Sequence, residues 1–139
     1  SAVLLAYIYQ LKGDNRRADR LLAEAERVIS QMHRIGIGGF GISDVNILAL
    51  RGRNDAALDA LREAIDAGFV SLLAYDMWTL DQNPMIDALR QDERYKAMKL
   101  ELNRKIEVMR DNVERAEESE DWSELLNRVR GEELIAAVR

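Results

Sequence analysis

The feature that most constrains this chain is a stretch that occurs twice. Residues 52–68 open Gly52-Arg53-Asn54-Asp55-Ala56-Ala57 and match Gly13-Asp14-Asn15-Arg16-Arg17-Ala18 upstream. The pairs Gly13/Gly52, Ala18/Ala57, Leu22/Leu61 and Ala25/Ala64 all stand 39 residues apart, and Ile8/Ile47 and Leu11/Leu50 carry the same offset ahead of each glycine. A repeat of this length is a supersecondary unit that stacks on copies of itself to bury its apolar face. The apolar positions of each copy recur at three and four residues, the period of a helix. Each copy therefore predicts two antiparallel helices turned at the glycine.

In chain order, Ala2 to Lys12 predicts a first helix ending at Gly13. Asp14 or Asn15 then caps a partner helix to about Arg34, with Ala18, Leu21, Leu22, Ala25, Val28, Ile29 and Met32 on one face. After the glycine-rich residues 35–42, Ser43 is expected to cap a third helix through Arg51. Asn54 starts its partner, which ends at Gly68. Val45, Ile47, Leu48 and Leu50 are expected to face Ala57, Leu58, Leu61, Ala64 and Ile65. From Ser71 the repeat decays: Leu72, Leu73, Tyr75, Met77, Trp78 and Leu80 suggest another first helix, but Asn83-Pro84 forces a break. Pro84 suits the first position of a short helix to Arg90, and Asp92 caps a long helix to about Glu118. On it Tyr95, Met98, Leu102, Ile106, Met109, Val113 and Ala116 form one stripe, outside which Glu101/Lys105, Arg110/Glu114 and Asp111/Arg115 have ion-pair spacing. A last helix begins near Asp121 and buries Trp122, Leu125, Leu126 and Val129, ahead of a short tail.

Composition narrows the class further. One proline, eight glycines and no cysteine in 139 residues fit an all-helical domain that needs neither disulfide nor metal to fold, and leave the compartment open. The net charge of −5 lies entirely in the second half, concentrated in the acidic run Asp111 to Glu124. An acidic chain with no basic stripe is a poor ligand for a phosphate backbone, so nucleic acid is not the expected partner. No apolar run approaches the roughly 20 residues that span a bilayer. The chain opens on Ser1 already inside a helical pattern, as expected of a piece of a longer protein.

The repeating positions Ala6, Tyr9, Gly13, Ala18, Leu22 and Ala25, then Val45, Leu48, Gly52, Ala57, Leu61 and Ala64, resemble the tetratricopeptide (TPR) family. That family places a small residue and an aromatic on the first helix, glycine in the turn, and Ala, a large apolar residue and Ala on the second. The second copy lacks the aromatic, the first lacks the family's closing proline, and the period exceeds the family's 34, with residues 35–42 holding the surplus. Downstream, Gly68-Phe69 and then Asn83-Pro84-Met85-Ile86-Asp87-Ala88-Leu89-Arg90-Gln91-Asp92-Glu93-Arg94-Tyr95 resemble the ending of bacterial TPR regions in multidomain signalling proteins, such as adenylate cyclases and winged-helix regulators. Asn83 and Glu93 stand where that ending has Asp and Pro. The resemblance implies an α-α superhelix with a concave groove for a peptide or neighbouring domain. By the family's layout Val3, Tyr7, Gln10, Ile42, Asn46 and Ala49 face that groove. Tyr7, Gln10 and Asn46 are the expected partner-binding residues, with Tyr75 beside them.

Other chemistry is weaker. Gly36-Ile37-Gly38-Gly39-Phe40-Gly41 fits the dinucleotide fingerprint in letters, but a polar-faced helix precedes it where the fingerprint needs a buried strand, so it reads as an inter-repeat connection. No cofactor is expected. His33 is the only histidine and, with no cysteine present, supports neither a hydrolytic triad nor a zinc site. Asp76, Asp81 and Asp87 near Trp78 are the only carboxylates placed for paired acid–base work, against the plainer reading as caps and solvated faces. Lys12, Arg16, Arg17 and Arg20 interleave with Asp14, Asp19 and Glu24, which describes a mixed solvent face.

The sequence thus predicts an all-α, TPR-like solenoid. Residues 1–118 hold hairpins at 2–34 and 43–67 and a divergent third unit at 71–118 with a long capping helix, and 119–139 form a helical tail. The expected role is non-catalytic: holding a protein or peptide partner, with no metal, nucleic acid or membrane contact by this segment. Two alternatives stand beside it. One is a structural oligomeriser pairing as a homodimer through helix 92–118, and the other a hydrolase built on the carboxylates near Trp78.

Overall fold

The computed structural model describes residues 1–31, 42–69 and 79–118. Over these the chain is helical, and no strand occurs among the described residues. Helices α1 (Ala2–Leu11) and α2 (Asn15–Gln31) make the first hairpin, and α3 (Ile42–Leu50) and α4 (Asn54–Asp66) the second; a 3₁₀ segment (Pro84–Leu89) and α5 (Glu93–Glu118) follow. Two compact units divide the chain, residues 1–102 and 103–139. The end of the first hairpin beyond Gln31, the glycine-rich connection, the start of the divergent third unit and the tail 119–139 lie outside the described residues.

The repeat in sequence is a repeat in hydrogen bonding. At the first turn the Gly13 N–H donates to the Gln10 carbonyl and the Asp14 N–H to the Tyr9 carbonyl, both at 2.9 Å. Thirty-nine residues on, Gly52 donates to Ala49 and Arg53 to Leu48, again at 2.9 Å. These are the paired bonds of a Schellman cap, which satisfy the last carbonyls of a helix once its C′ residue enters the left-handed region. Gly13 and Gly52 do so at φ 76° and 69°. No atom stands within 4 Å of where a Cβ would project at either site, so backbone conformation alone demands glycine. Asp14 then starts α2 by accepting the Arg17 N–H at 3.1 Å. Ser43, by contrast, is the second residue of α3 and not its cap, because the helix begins one residue earlier at Ile42.

Packing repeats in the same register. Ala18, Leu22 and Ala25 of α2 are buried with Val3 and Ala6 of α1, and their equivalents Ala57, Leu61 and Ala64 of α4 are buried with Val45 and Ala49 of α3. Ala6, Ala18 and Ala57 have no exposed surface at all, which fixes how closely the paired backbones approach. Helix α3 departs from expectation in its facing. Val45, Leu48 and Ala49 pack toward α4, whereas Ile47 and Leu50 pack into the first hairpin's cluster. At about 100° per residue, positions 47 and 50 fall opposite 45 and 49, so a helix sandwiched between α4 and the first hairpin must be apolar on both sides.

The chain after the second hairpin completes this core. Phe69, Leu80, Ile86, Leu89, Tyr95, Met98 and Leu102 join the cluster of α3 and α4. Asn83 accepts the Met85 N–H and Pro84 occupies the first turn, as the sequence predicts. The segment is 3₁₀ and not α, with a kink at Ile86 (φ −113°). Asp92 accepts the Arg94 N–H at 2.8 Å and starts α5. Along the first unit's part of α5 the expected stripe is realised by Tyr95, Met98 and Leu102, each no more than 5 % exposed. Arg62 of α4 grips Glu101 of α5 with two hydrogen bonds, at 2.6 and 3.2 Å. The second unit is described only over 103–118, where Val108, Met109 and Val113 are exposed and Arg115 bonds Asn112 and the Asp111 carbonyl.

Candidate interaction surface

The α1/α3 face is where the tetratricopeptide resemblance places a groove, and the chain's own Asn83–Met85 comes back onto it. The Asn83 amide donates to Asn46 Oδ1 at 2.8 Å, while Met85 packs among Val3, Ala6, Leu22 and Ile47. Asn46 and Asn83 are the only buried polar side chains among the described residues. Their pairing is what makes an amide tolerable there, since an unbonded one costs the full desolvation penalty. The carbonyl of Asn83 accepts from Arg90 at 3.1 Å, so one residue ties α3, the 3₁₀ segment and its own turn together.

Most of the expected groove residues are engaged within the chain. Val3, Asn46 and Ala49 are interior, and Ile42 packs against the second hairpin's cluster. Gln10 is engaged inside the chain, donating from Nε2 to the Leu50 carbonyl at 2.9 Å and so joining α1 to the end of α3. Tyr7 lies half-buried against the first hairpin's cluster. Tyr75 lies outside the described residues. The missed participants are Asn83 and Met85. In the sequence Asn83-Pro84 marks a break, a helix start and part of the family-like ending, and none of these places Asn83 beside Asn46, 37 residues earlier.

Of the remaining candidates among the described residues, Asp81, Asp87 and Arg17 are paired locally. Asp81 pairs with Lys99, and Asp87 with Arg90 at 3.0 Å; both carboxylates are exposed. Asp76, Trp78, His33 and Gly36 to Gly41 lie outside the described residues. Arg17 of the basic cluster pairs with Asp14 at 3.4 Å and lies over the Tyr9 ring at 5.5 Å, so its charge is answered locally. Among the described residues no three acidic, histidine or cysteine side chains converge as a metal site. Burial pushes the Tyr95 phenol upward, and its hydroxyl donates to the Leu80 carbonyl at 3.1 Å. Asp92 is held below the usual carboxylate range by its hydrogen bonds from Arg94. These shifts belong to structural contacts.

A cleft of about 200 Å³, unforeseen from the sequence, lies between α2, α3 and α4. Ile47, Leu48 and Ala60 form its apolar floor, and Glu26, Asp44 and Glu63 its acidic rim. Glu26 bonds Arg51 at 2.8 Å.

The outer side of α1 carries a different surface. Leu5, Ile8 and Leu11 are exposed by 43, 37 and 69 %, and Val28 of α2 by 43 %. Single exposed apolar residues are ordinary, but these three recur at helical spacing on one helix. No helix among the described residues is long and apolar enough to cross a membrane.

Compared with protein-family models, with curated proteins and with solved structures, the chain matches none.

Proposed function

We propose that this chain is a tetratricopeptide-like helical-repeat module that holds another protein or peptide, as part of a larger bacterial signalling protein. The observation that carries the reading is the recurrence, at one offset, of the same Schellman cap and the same buried alanines in both hairpins. Units that pack only on their neighbours leave extended outer surfaces for other molecules. Asn46 and Gln10 hold the module together in this reading, and Tyr7 is the residue left to meet a partner. The experiment is a photo-crosslinking phenylalanine analogue placed at position 7 or, as control, at the exposed Asp19, in the parent protein inside cells. A discrete protein adduct from position 7 alone supports the reading; equal or absent adducts from both refute it.

A second reading, self-association through α5, is favoured by the exposed Val108, Met109 and Val113. A molecular mass independent of concentration in light scattering removes it.

A further inference from the structure

The apolar residues of α5 in the second unit lie mostly along one seam. Ile106, Met109, Val113 and Ala116 follow at steps of three, four and three residues, the alternation by which one helix packs along another. Met109 and Val113 are each 47 % exposed, Ile106 and Ala116 are half-buried, and none of residues 103–118 is buried. The charges on the same stretch are sorted by sign along its length. Residues 103–110 carry Arg104, Lys105 and Arg110 against Glu107, a net +2, whereas residues 111–118 carry Asp111, Glu114, Glu117 and Glu118 against Arg115, a net −3. The helix dipole does not account for this order, because the carbonyl end of a helix favours cations and here it carries the acids.

We infer that residues 106–116 of α5 pair with the same residues of a second copy of this chain in antiparallel orientation, the basic half of each helix lying on the acidic half of the other. The inference deepens the self-association reading and rests on it. Charge complementarity fixes the direction, since a parallel pair sets like charge on like along the whole contact. Side-chain size agrees. With the midpoint at position 111, Ile106 meets the partner's Ala116 and Met109 meets the partner's Val113, so each layer sets a larger side chain against a smaller one. A parallel pair sets alanine on alanine and leaves a gap there. Arg110 is the charge that falls beside its own copy near the midpoint, and Glu107 and Glu114 stand one turn away from it on the same helix.

The test uses the 139-residue chain, whose lack of cysteine makes any introduced thiol unique. Asn103→Cys and Asn112→Cys both replace exposed, uncharged residues of α5. At 1.5 Å per residue, position 112 of an antiparallel pair lies about 3 Å along the axis from its own copy, and position 103 about 24 Å from its own. A short bis-maleimide should therefore join two copies through position 112 and not through position 103. Light scattering across concentration on the unmodified chain is expected to show the mass rising toward twice that of the single chain. Met109→Asp, at a side chain that already meets solvent in the single chain, should raise the dissociation constant by roughly tenfold or more and leave the helical circular dichroism unchanged. Equal crosslinking from 103 and 112 shows a parallel pair and overturns the inference while self-association stands. A dimer that Met109→Asp leaves intact places the contact elsewhere and overturns the inference, and a mass independent of concentration removes the self-association reading and the inference together.

Discussion

The pairing of Asn46 with Asn83 yields the sharpest test of how the face of α3 is closed. The two side chains are 7 and 4 % exposed and meet at 2.8 Å, with Asn83 Oδ1 also capping the 3₁₀ segment at Met85. Asn46→Ala leaves the Asn83 amide buried and unbonded, which costs about 1–3 kcal/mol. Asn83→Ala strands Asn46 in the same way and also removes the cap, worth about 1 kcal/mol, for a total of roughly 2–4 kcal/mol. The double alanine variant leaves no orphaned amide. It should therefore be more stable than the two losses added together predict, by about 1–2 kcal/mol. Asn83→Asp keeps the cap and allows Asn46 to turn its own amide toward the carboxylate, so it should recover most of the loss. The assay is urea unfolding followed by far-ultraviolet circular dichroism, in which a loss of 2–4 kcal/mol moves the midpoint by roughly 1–2 M. Losses that add to within about 0.5 kcal/mol would refute the pairing, because groups that do not share a bond behave independently.

Two other expectations follow from the same packing. Ala18→Leu and Ala57→Leu should each cost about 1–3 kcal/mol in urea unfolding, since both sites lack any exposed surface, whereas Ala23→Leu on the exposed side of α2 should be nearly neutral; a large difference between the two buried sites would deny their equivalence. Tyr95 links stability to alkaline pH: its folded pKa is raised by burial above the unfolded value near 10, so the unfolded chain releases the proton first. Below about pH 10 the phenol is neutral in both states and contributes its full stability, which is then lost as pH rises through the folded pKa. Tyr95→Phe should cost about 1 kcal/mol at neutral pH through the lost bond to the Leu80 carbonyl and should flatten the alkaline loss in a pH series of unfolding curves.

Most helix boundaries among the described residues were legible because their causes are local, the start of α3 at Ile42 and the 3₁₀ form of Pro84–Leu89 excepted. Glycine at 13 and 52, Asp14 and Asp92 as caps, and Pro84 at a first turn each act through backbone conformation or a hydrogen bond to a residue two or three away. The 39-residue period likewise exposed which alanines sit between paired helices. The facing of α3 is legible only in part, since an apolar helix shows no preferred side until its neighbours are known; the sequence turns Ile47 and Leu50 toward α4, whereas they pack into the first hairpin's cluster. Proposed binding residues were the least legible. Whether Asn46 meets a partner or an internal amide depends on where Asn83 returns, 37 residues later, and no local rule encodes that.

By itself, then, the order of residues determined the hairpins, their turns and the small-residue contacts that hold each pair together, because these depend on spacings within a few turns of helix. Only the tertiary structure decided which surfaces remain open. It closed the face of α3 with Asn83 and Met85 and left Leu5, Ile8 and Leu11 of α1 bare, since burial is a property of what comes to lie alongside a residue and not of the residue.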